Sequence, residues 1–363
     1  ATERRRPSDR SSRAADVPAL DAYARKTTLA EDLRTTFYAD YLEARIRSVR
    51  EELGDAMPSH GIYDRTATGT AEARRMQVAV ETGYTFYVSP HMEALVTAAA
   101  EALPEDDILT VDDLPTPQGF LWIPGGLTVL DVRGRVLKYN GALWTSYGGE
   151  VFVWWLTDKY DPADMTNHEI KATAPKGYWE KFPQLTPGGE TRARFGEPVP
   201  QYLGQTKVIP PEYRQAMHWD EKQGLVFWSE KGYTSEELQD WLTPTMGPDP
   251  SFRWMLACWR LMQQSVTRLE DETMPRQLRK LGQRAGIPND IVTVINLRST
   301  PVRGDGQSAV EWSHRWLRRG HWRRQPYKLD GEWVHKTIWI HPTVCGPEGL
   351  PLVIKDHVYN LTR

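Results

Sequence analysis

Along the first part of the chain, apolar residues recur at the spacing of an amphipathic helix. The first such run covers residues 17–55, and its apolar stripe consists of Leu33, Phe37, Tyr41 and Ile46. Two more helices are predicted, over "AEARRMQVAVETG" and over "SPHMEALVTAAAEALPEDD". In the second of these, Ser89 and Pro90 form a cap and first-turn pair. We therefore expect residues 17–112 to form a helical region.

The pattern changes at residue 113, where short apolar runs alternate with glycine, asparagine and aspartate. Residues 114–158 predict three or four antiparallel strands, and "GEVFVWWLT" among them predicts a buried strand. Residues 159–204 are rich in proline, glycine and charge, which is typical of either a long surface excursion or an insertion. The runs "IPGG" and "TPGG" are interpreted as turn punctuation, and "GLVFWSEKG" predicts a return to strand. Residues 113–247 are thus expected to be β-rich.

The last region, residues 248–363, combines one strong helix with strands. Residues 249–272 carry a wide apolar and aromatic stripe, so we expect this helix to lie across a sheet. Four strands should follow as a meander, in "DIVTVINLRS", "AVEWSHRWLRRGHWRRQ", "VHKTIWIHP" and "LPLVIKDHVYNL". The predicted fold class is α+β: a helical N-terminal region, then an antiparallel β-rich region, with the long helix packed on a C-terminal β-meander.

The amino-acid composition argues against a membrane protein and against a protein held together by disulfides. A mean hydropathy of -0.58 and the lack of a long uncharged apolar run argue against a membrane span or a membrane partner. The opening "ATERRRPSDRSSR" has cations without an apolar segment, so residues 1–16 are expected to be a disordered basic arm and not a secretory signal. Two cysteines, Cys258 and Cys345, exclude a disulfide framework and a cysteine metal cluster. The expected location is the cytoplasm, of a bacterium or of a phage-infected host.

One short segment departs from the slightly acidic balance of the chain, whose formal net charge is -3. It is "HRWLRRGHWRRQ", residues 314–325, and it concentrates arginine, histidine and tryptophan. With the alternation of a β-strand, its tryptophans share one side and its polar residues share the other. The polar side would form a cationic stripe of Arg315, Arg319, His321, Arg323 and Gln325.

The next predicted strand extends this stripe. If its aliphatic side joins the tryptophans in the core, His335, Trp339 and His341 lie beside the arginines. Arginine binds phosphates, and a flat indole accepts a stacked base, so such a face suits single-stranded nucleic acid. We therefore predict a non-enzymatic protein that binds RNA or a ribonucleoprotein. Its predicted contacts are Arg315, Arg319, His321, Arg323, Gln325, His335, Trp339 and His341.

Structural interpretations of the same residues stay open. Arginine between tryptophans is common in cation-π packing, and a cationic strand can pair with acidic helices or protect a sheet edge. The 15 tryptophans are also compatible with a structural or virion protein that forms interfaces, including a homo-oligomer.

Catalysis is the second alternative. Two histidines, His321 with His335 or His341, could act as base and acid beside the guanidinium of Arg323. Such a site would make the protein a histidine-dependent, metal-free ribonuclease. Nothing in the spacing demands it. Asp356 is the only carboxylate that we consider as a ligand to accompany the C-terminal histidines, so we expect no metal site, and no motif indicates a cofactor.

Two stretches carry a family resemblance. The run "HRWLRRGHWRRQPY" with "TIWIHPTVCGPEGLPLVIKDHVYNL", and "LPTPQGFLWIP" with a tryptophan-containing strand after it, resemble a signature of phage and mobile-element proteins. Within that family the chain resembles the type V-A anti-CRISPR (AcrVA-type) proteins, which lower the level of a Cas nuclease through its nascent chain and message. The resemblance implies a phage-encoded anti-defence or host-modulating regulator directed at RNA, the ribosome or a nascent chain. It assigns no catalytic residue.

Overall fold

The computed structural model of the chain describes residues 18–53, 68–130, 136–161, 171, 176–204, 208, 217–220, 224–227, 245–297, 315–318, 320–329, 332–341, 343–345 and 352–353. Within these ranges the α-helices are α1 (Pro18–Asp32), α2 (Thr36–Leu53), α3 (Gly69–Thr82), α4 (Pro90–Glu101), α5 (Tyr178–Lys181), α6 (Pro250–Met262) and α7 (Arg276–Arg284). The strands are β1 (Tyr84–Val88), β2 (Gln118–Leu130), β3 (Val136–Tyr147), β4 (Glu150–Asp158), β5 (Leu185–Arg194), β6 (Gln201–Gly204), β7 (Met217–Asp220), β8 (Gly224–Phe227), β9 (Thr245–Pro248), β10 (Thr267–Thr273), β11 (Ile291–Leu297), β12 (Arg315–Arg318), β13 (His321–Leu329), β14 (Glu332–Ile340), β15 (Thr343–Cys345) and β16 (Leu352–Val353).

Seven strands form one mixed sheet in the order β10-β11-β1-β2-β3-β4-β5. Strand β1 is parallel to both of its neighbours, and the other pairs are antiparallel. Helices α4 and α6 cover one face, and α1, α2, α3 and α7 cover the other, so a hydrophobic core lies on each side. The predicted α+β class is confirmed. The structure adds β1, a central strand, to the region that the sequence predicted as helical.

Strand β4 shows why a continuous apolar run folds as a strand here. Its odd-numbered residues Val151, Val153 and Trp155 enter the core beneath α4 and α6. Its even-numbered residues Trp154 and Leu156 enter the opposite core. A sheet covered on both faces needs apolar side chains at every position, not at alternate ones. The prediction of a buried strand in "GEVFVWWLT" is confirmed.

The helix predicted over residues 17–55 is two helices, and a threonine separates them. The Thr35 hydroxyl donates a hydrogen bond of 2.6 Å to the Asp32 carbonyl at the end of α1. The same oxygen accepts from the Tyr38 backbone N–H at the start of α2, at 3.2 Å. One side chain thus satisfies groups at both helix ends. The predicted cap of α4 is confirmed, since Ser89 Oγ accepts from the Met92 N–H at 3.4 Å.

Helix α6 is shorter than predicted but lies on a sheet as expected. It ends at Met262, because the Thr267 hydroxyl donates to the Leu261 carbonyl and turns the chain into β10. The acidic residues 270–272, which close the segment predicted as this helix, therefore lie in an edge strand. Helix α6 is buried almost all round: it packs beside α4 on the main sheet, and Trp339 of β14 belongs to the same core.

The two proline-glycine runs interpreted as turns lie inside strands. In β5 a Cβ at Gly188 would stand 2.4 Å from Thr157 Cγ2, so only glycine fits beside β4. The register shifts there, between Trp155 and Leu156, and a similar shift in β2 falls between Trp122 and Leu127. Both glycine pairs accompany β-bulges. The predicted excursion over residues 159–204 therefore contains β5, an outer strand of the main sheet.

The predicted four-stranded C-terminal meander is wrong. Strand β11 belongs to the main sheet, between β10 and β1. The segment predicted as one strand through residue 325 is two strands, β12 and β13, in different sheets. Strand β12 pairs with β15 and β16, and β13 pairs with β14 as an isolated hairpin.

Among the helices that the structure describes, none is long and apolar enough to cross a bilayer. The longest is α2, whose 18 residues include charges along most of its length.

Candidate nucleic-acid interface

The site predicted from the sequence falls mainly on the β13–β14 hairpin, which we call the hairpin arm. Trp322 lies opposite Trp339 in this hairpin, and Arg323 lies opposite Ile338. Directly opposed residues of an antiparallel pair project from the same face. The two tryptophans therefore share one face of the arm, and Arg323 lies on the other.

This register overturns the predicted combination of contacts. Trp339 and His335 were predicted to lie beside His321 and Arg323, but alternation puts the two pairs on opposite faces. The wrong assumption was that the tryptophans of one strand and the aliphatic residues of the next share the core. When the pairing of two strands shifts by one residue, every side chain of one strand changes to the other face.

Both tryptophans pack into the protein at the base of the arm, residues 321–323 and 338–340. Their rings meet edge to face with centroids 5.2 Å apart. Trp322 Nε1 donates to the Ala99 carbonyl of α4 at 2.7 Å, and Trp339 is only 6% exposed. Trp339 is therefore part of the core and has no free ring face for a base.

A glutamine after α6 fixes the second strand of the arm. Gln264 Oε1 accepts from the Trp339 backbone N–H at 2.7 Å, and Gln264 Nε2 donates to the Thr337 carbonyl at 3.4 Å. The side-chain amide thus pairs with main-chain groups as a neighbouring strand would. The base is anchored, whereas the outer half of the arm, residues 324–328 and 333–337, extends away from these contacts.

The outer half exposes aromatic and cationic side chains together. Trp333 is 68% exposed, and Arg324, Lys328 and His335 are also exposed. Lys328 lies opposite Trp333, so their Cβ atoms are about 5 Å apart on one face. Arg324 and His335 share this face by strand alternation. Within the described residues neither Arg324 nor Lys328 forms an ion pair, so both charges are available to a ligand.

The other predicted contacts are not brought to this face. Arg315 lies in β12, whose backbone pairs with β15 and β16, and Arg319 lies outside the described residues. His321, Arg323 and Gln325 line the opposite face of β13. His341 follows the end of β14, where partial burial lowers the pKa of its imidazole.

The register removes one of the two histidine pairs of the catalytic alternative. His321 and His335 project from opposite faces of the arm, so these two side chains cannot act on one phosphodiester. The other pair stays a prediction: His321 lies opposite Ile340 at the base of the arm, and His341 follows Ile340 directly in the chain. In the described part of the chain, no group of three histidine, cysteine or carboxylate side chains is placed to hold a metal ion.

Arg324, Lys328 and Trp333 were not among the contacts predicted from the sequence. A signal for them was present in Asp330-Gly331, a dipeptide typical of two-residue hairpin loops. A two-residue loop there pairs Leu329 with Glu332, and the same register carries on to Trp322 and Trp339.

The comparisons with known proteins add no assignment to this geometry. The chain matches no protein-family model, and it matches no curated protein sequence.

Proposed function

We propose that the chain binds single-stranded RNA, free or within a ribonucleoprotein, through the outer half of the hairpin arm. The observation that carries the proposal is the exposed indole of Trp333 on the same face as Lys328 and Arg324. A large aromatic side chain far from the core gives little stability, because most of its surface stays in water. It does provide a flat surface on which a base can stack.

The spacing of these groups suits a nucleic acid strand. A cation directly across from the indole can hold the phosphate of the stacked nucleotide, and Arg324 offers a second charge farther along the same face. The whole chain is slightly acidic, with a net charge of -3, so attraction of a polyanion must be local. The arm is a place where exposed cations and an exposed ring coincide.

The test is fluorescence anisotropy with a labelled oligouridylate. We expect Trp333→Ala to weaken binding by about 1–3 kcal/mol, the usual contribution of one stacked base. The variant Arg324→Ala with Lys328→Ala should weaken binding and lower the salt dependence between about 50 and about 200 mM salt.

The matched control is Arg276→Ala with Lys280→Ala, which removes the same charge from exposed positions of α7. This control should leave affinity nearly unchanged. Equal losses in both charge variants would show that total charge matters and the arm does not. Wild-type affinity that is insensitive to salt, or to Trp333→Ala, would refute the proposal.

The family resemblance extends this proposal to a biological role. We propose a cytoplasmic regulator encoded by a phage or mobile element and directed at a message or a translating ribosome. Crosslinking in host cells, followed by sequencing of the bound RNA, separates these targets: reads in one message indicate a transcript-specific regulator, and reads in ribosomal RNA indicate a ribosome partner. A homo-oligomer or virion component stays a prediction, which light scattering of the purified protein would test.

A further inference from the structure

Strand β10 forms an outer edge of the main sheet. In the part of the chain that the structure describes, β11 is the strand that pairs with β10, and no strand pairs with its other side. Half of the main-chain hydrogen-bonding groups along Thr267–Thr273 therefore face outward. Such an edge accepts a further strand unless the protein protects it.

The side chains of this edge include carboxylates on both faces and one cation, Arg268, which forms an ion pair of 2.7 Å with Glu270. Glu270 and Glu272 lie opposite Val294 and Val292, whose side chains belong to the core beneath α1 and α7. Asp271 projects from the other face, where it accepts a hydrogen bond of 2.7 Å from Thr293. A strand added to β10 would place its own side chains beside these carboxylates in alternation. Cationic side chains are favoured there, and phosphates are repelled.

A pocket of about 530 Å³ opens beside the edge, on the face of Asp271. Its walls are about equally polar and apolar: Phe86, Met262 and Leu269 form part of the apolar wall, and the polar groups are Asp271, the Gln263 amide, Thr116 and Thr293. Leu269 is 46% exposed, although it lies on the core-facing side of its strand. An apolar wall that ends at a carboxylate fits the aliphatic stem and charged head of arginine or lysine.

From these features we infer that β10 binds an extended cationic peptide by strand addition. The peptide places a lysine or arginine side chain in the pocket beside Asp271, and further cations beside Glu270 and Glu272. Charges alone would protect an edge from aggregation. Protection from aggregation does not require a pocket lined by an exposed leucine. Peptide binding therefore explains this region better than protection alone.

The probe is an acetylated and amidated peptide, Thr-Val-Lys-Arg-Lys-Val-Thr. Paired with residues 268–274, it places its central arginine opposite Asp271 and its lysines opposite Glu270 and Glu272. It should bind the full chain and slow amide exchange along β10, while exchange along β5, the opposite edge, stays unchanged. Glu272→Lys should weaken binding by about fivefold or more, because an attraction becomes a repulsion. The matched control Glu180→Lys makes the same charge change at an exposed position of α5 and should have no effect.

A coupling measurement tests the pocket separately. Replacing the central arginine of the peptide by methionine should weaken binding to the wild type, and the isosteric variant Asp271→Asn should abolish that preference. A preference that survives in Asp271→Asn would overturn the assignment of the pocket. Binding without protection of the β10 amides, or equal weakening by Glu180→Lys, would overturn strand addition.

Discussion

The main sheet and the hairpin arm are both rich in tryptophan, but they place it differently. In β4, Trp154 and Trp155 project from opposite faces, and both are buried because helices cover both faces of the sheet. In the arm, Trp322 and Trp339 contact α4 and the end of α6, whereas Trp333 lies beyond the helices and stays exposed. Aromatic content therefore does not distinguish core from surface. The extent of the helical layers does.

The largest expected effect concerns a tryptophan of the helical layer. Trp259 of α6 is fully buried between Trp144 and Phe252. We expect Trp259→Ala to lower the free energy of unfolding by about 3–5 kcal/mol, because it removes a large ring from a closed core. Urea unfolding monitored by circular dichroism measures this. A loss below about 1 kcal/mol would mean that the core beneath α6 is loosely packed.

The body of the protein also buries a charge-bearing group, whereas the charged side chains of the arm whose burial is described are exposed or half-buried. Lys26 of α1 is fully buried, its ammonium donates to the Gly83 carbonyl at 2.6 Å, and burial lowers its pKa from 10.5 to about 7. Between these values the unfolded chain binds one more proton than the folded protein. The free energy of unfolding should therefore rise with pH in this window, by about 1.4 kcal/mol per pH unit.

The variant Lys26→Met should remove this slope, whatever its effect on stability at one pH. Urea midpoints of both proteins, measured at several pH values from about 7 to about 10, give the two slopes. Parallel curves for the two proteins would show that Lys26 keeps its ordinary pKa and is not enclosed as described.

Local sequence signals predicted much of the body. The Ser89-Pro90 cap and the buried strand β4 follow from residues that are neighbours in the chain. The parallel pairing of β1 with β11 has no local signature, because about two hundred residues separate the two strands. The bulges at Gly125 and Gly188 were predicted as turns for a related reason. Glycine is compatible with a turn and with a β-bulge, and which of the two forms depends on the neighbouring strand.

In the arm, the periodicity was recognised but the register was not. Alternation correctly divides β13 into a tryptophan side and a side with His321 and Arg323. Alternation does not say which side of β14 shares a face with the tryptophan side of β13, since a shift of the register by one residue exchanges the faces. The loop chemistry of Asp330-Gly331 decides this, and hydrophobic pattern alone led to Trp339 in place of Trp333.

An intermediate effect is expected where the arm meets the body. Trp322→Phe keeps an aromatic ring but removes the Nε1 donor to the Ala99 carbonyl. We expect a loss of about 0.5–1.5 kcal/mol in the free energy of unfolding, typical of one hydrogen bond. Amide exchange should accelerate along β13 and β14 and stay unchanged in β4. Equal acceleration in β4 would contradict a base that is anchored separately from the sheet.

The smallest expected effect on stability belongs to the outer half of the arm. Trp333→Ala should change the free energy of unfolding by no more than about 0.5 kcal/mol, because the 68% exposed indole loses little contact. The same variant is expected to reduce RNA affinity most. Of the two tryptophans, Trp259 should therefore matter more for stability and Trp333 more for RNA binding. If urea unfolding shows a loss at Trp333 comparable to that at Trp259, the indole packs against the protein in solution. The stacking surface would then be absent, and the comparison between sheet and arm would fail with it.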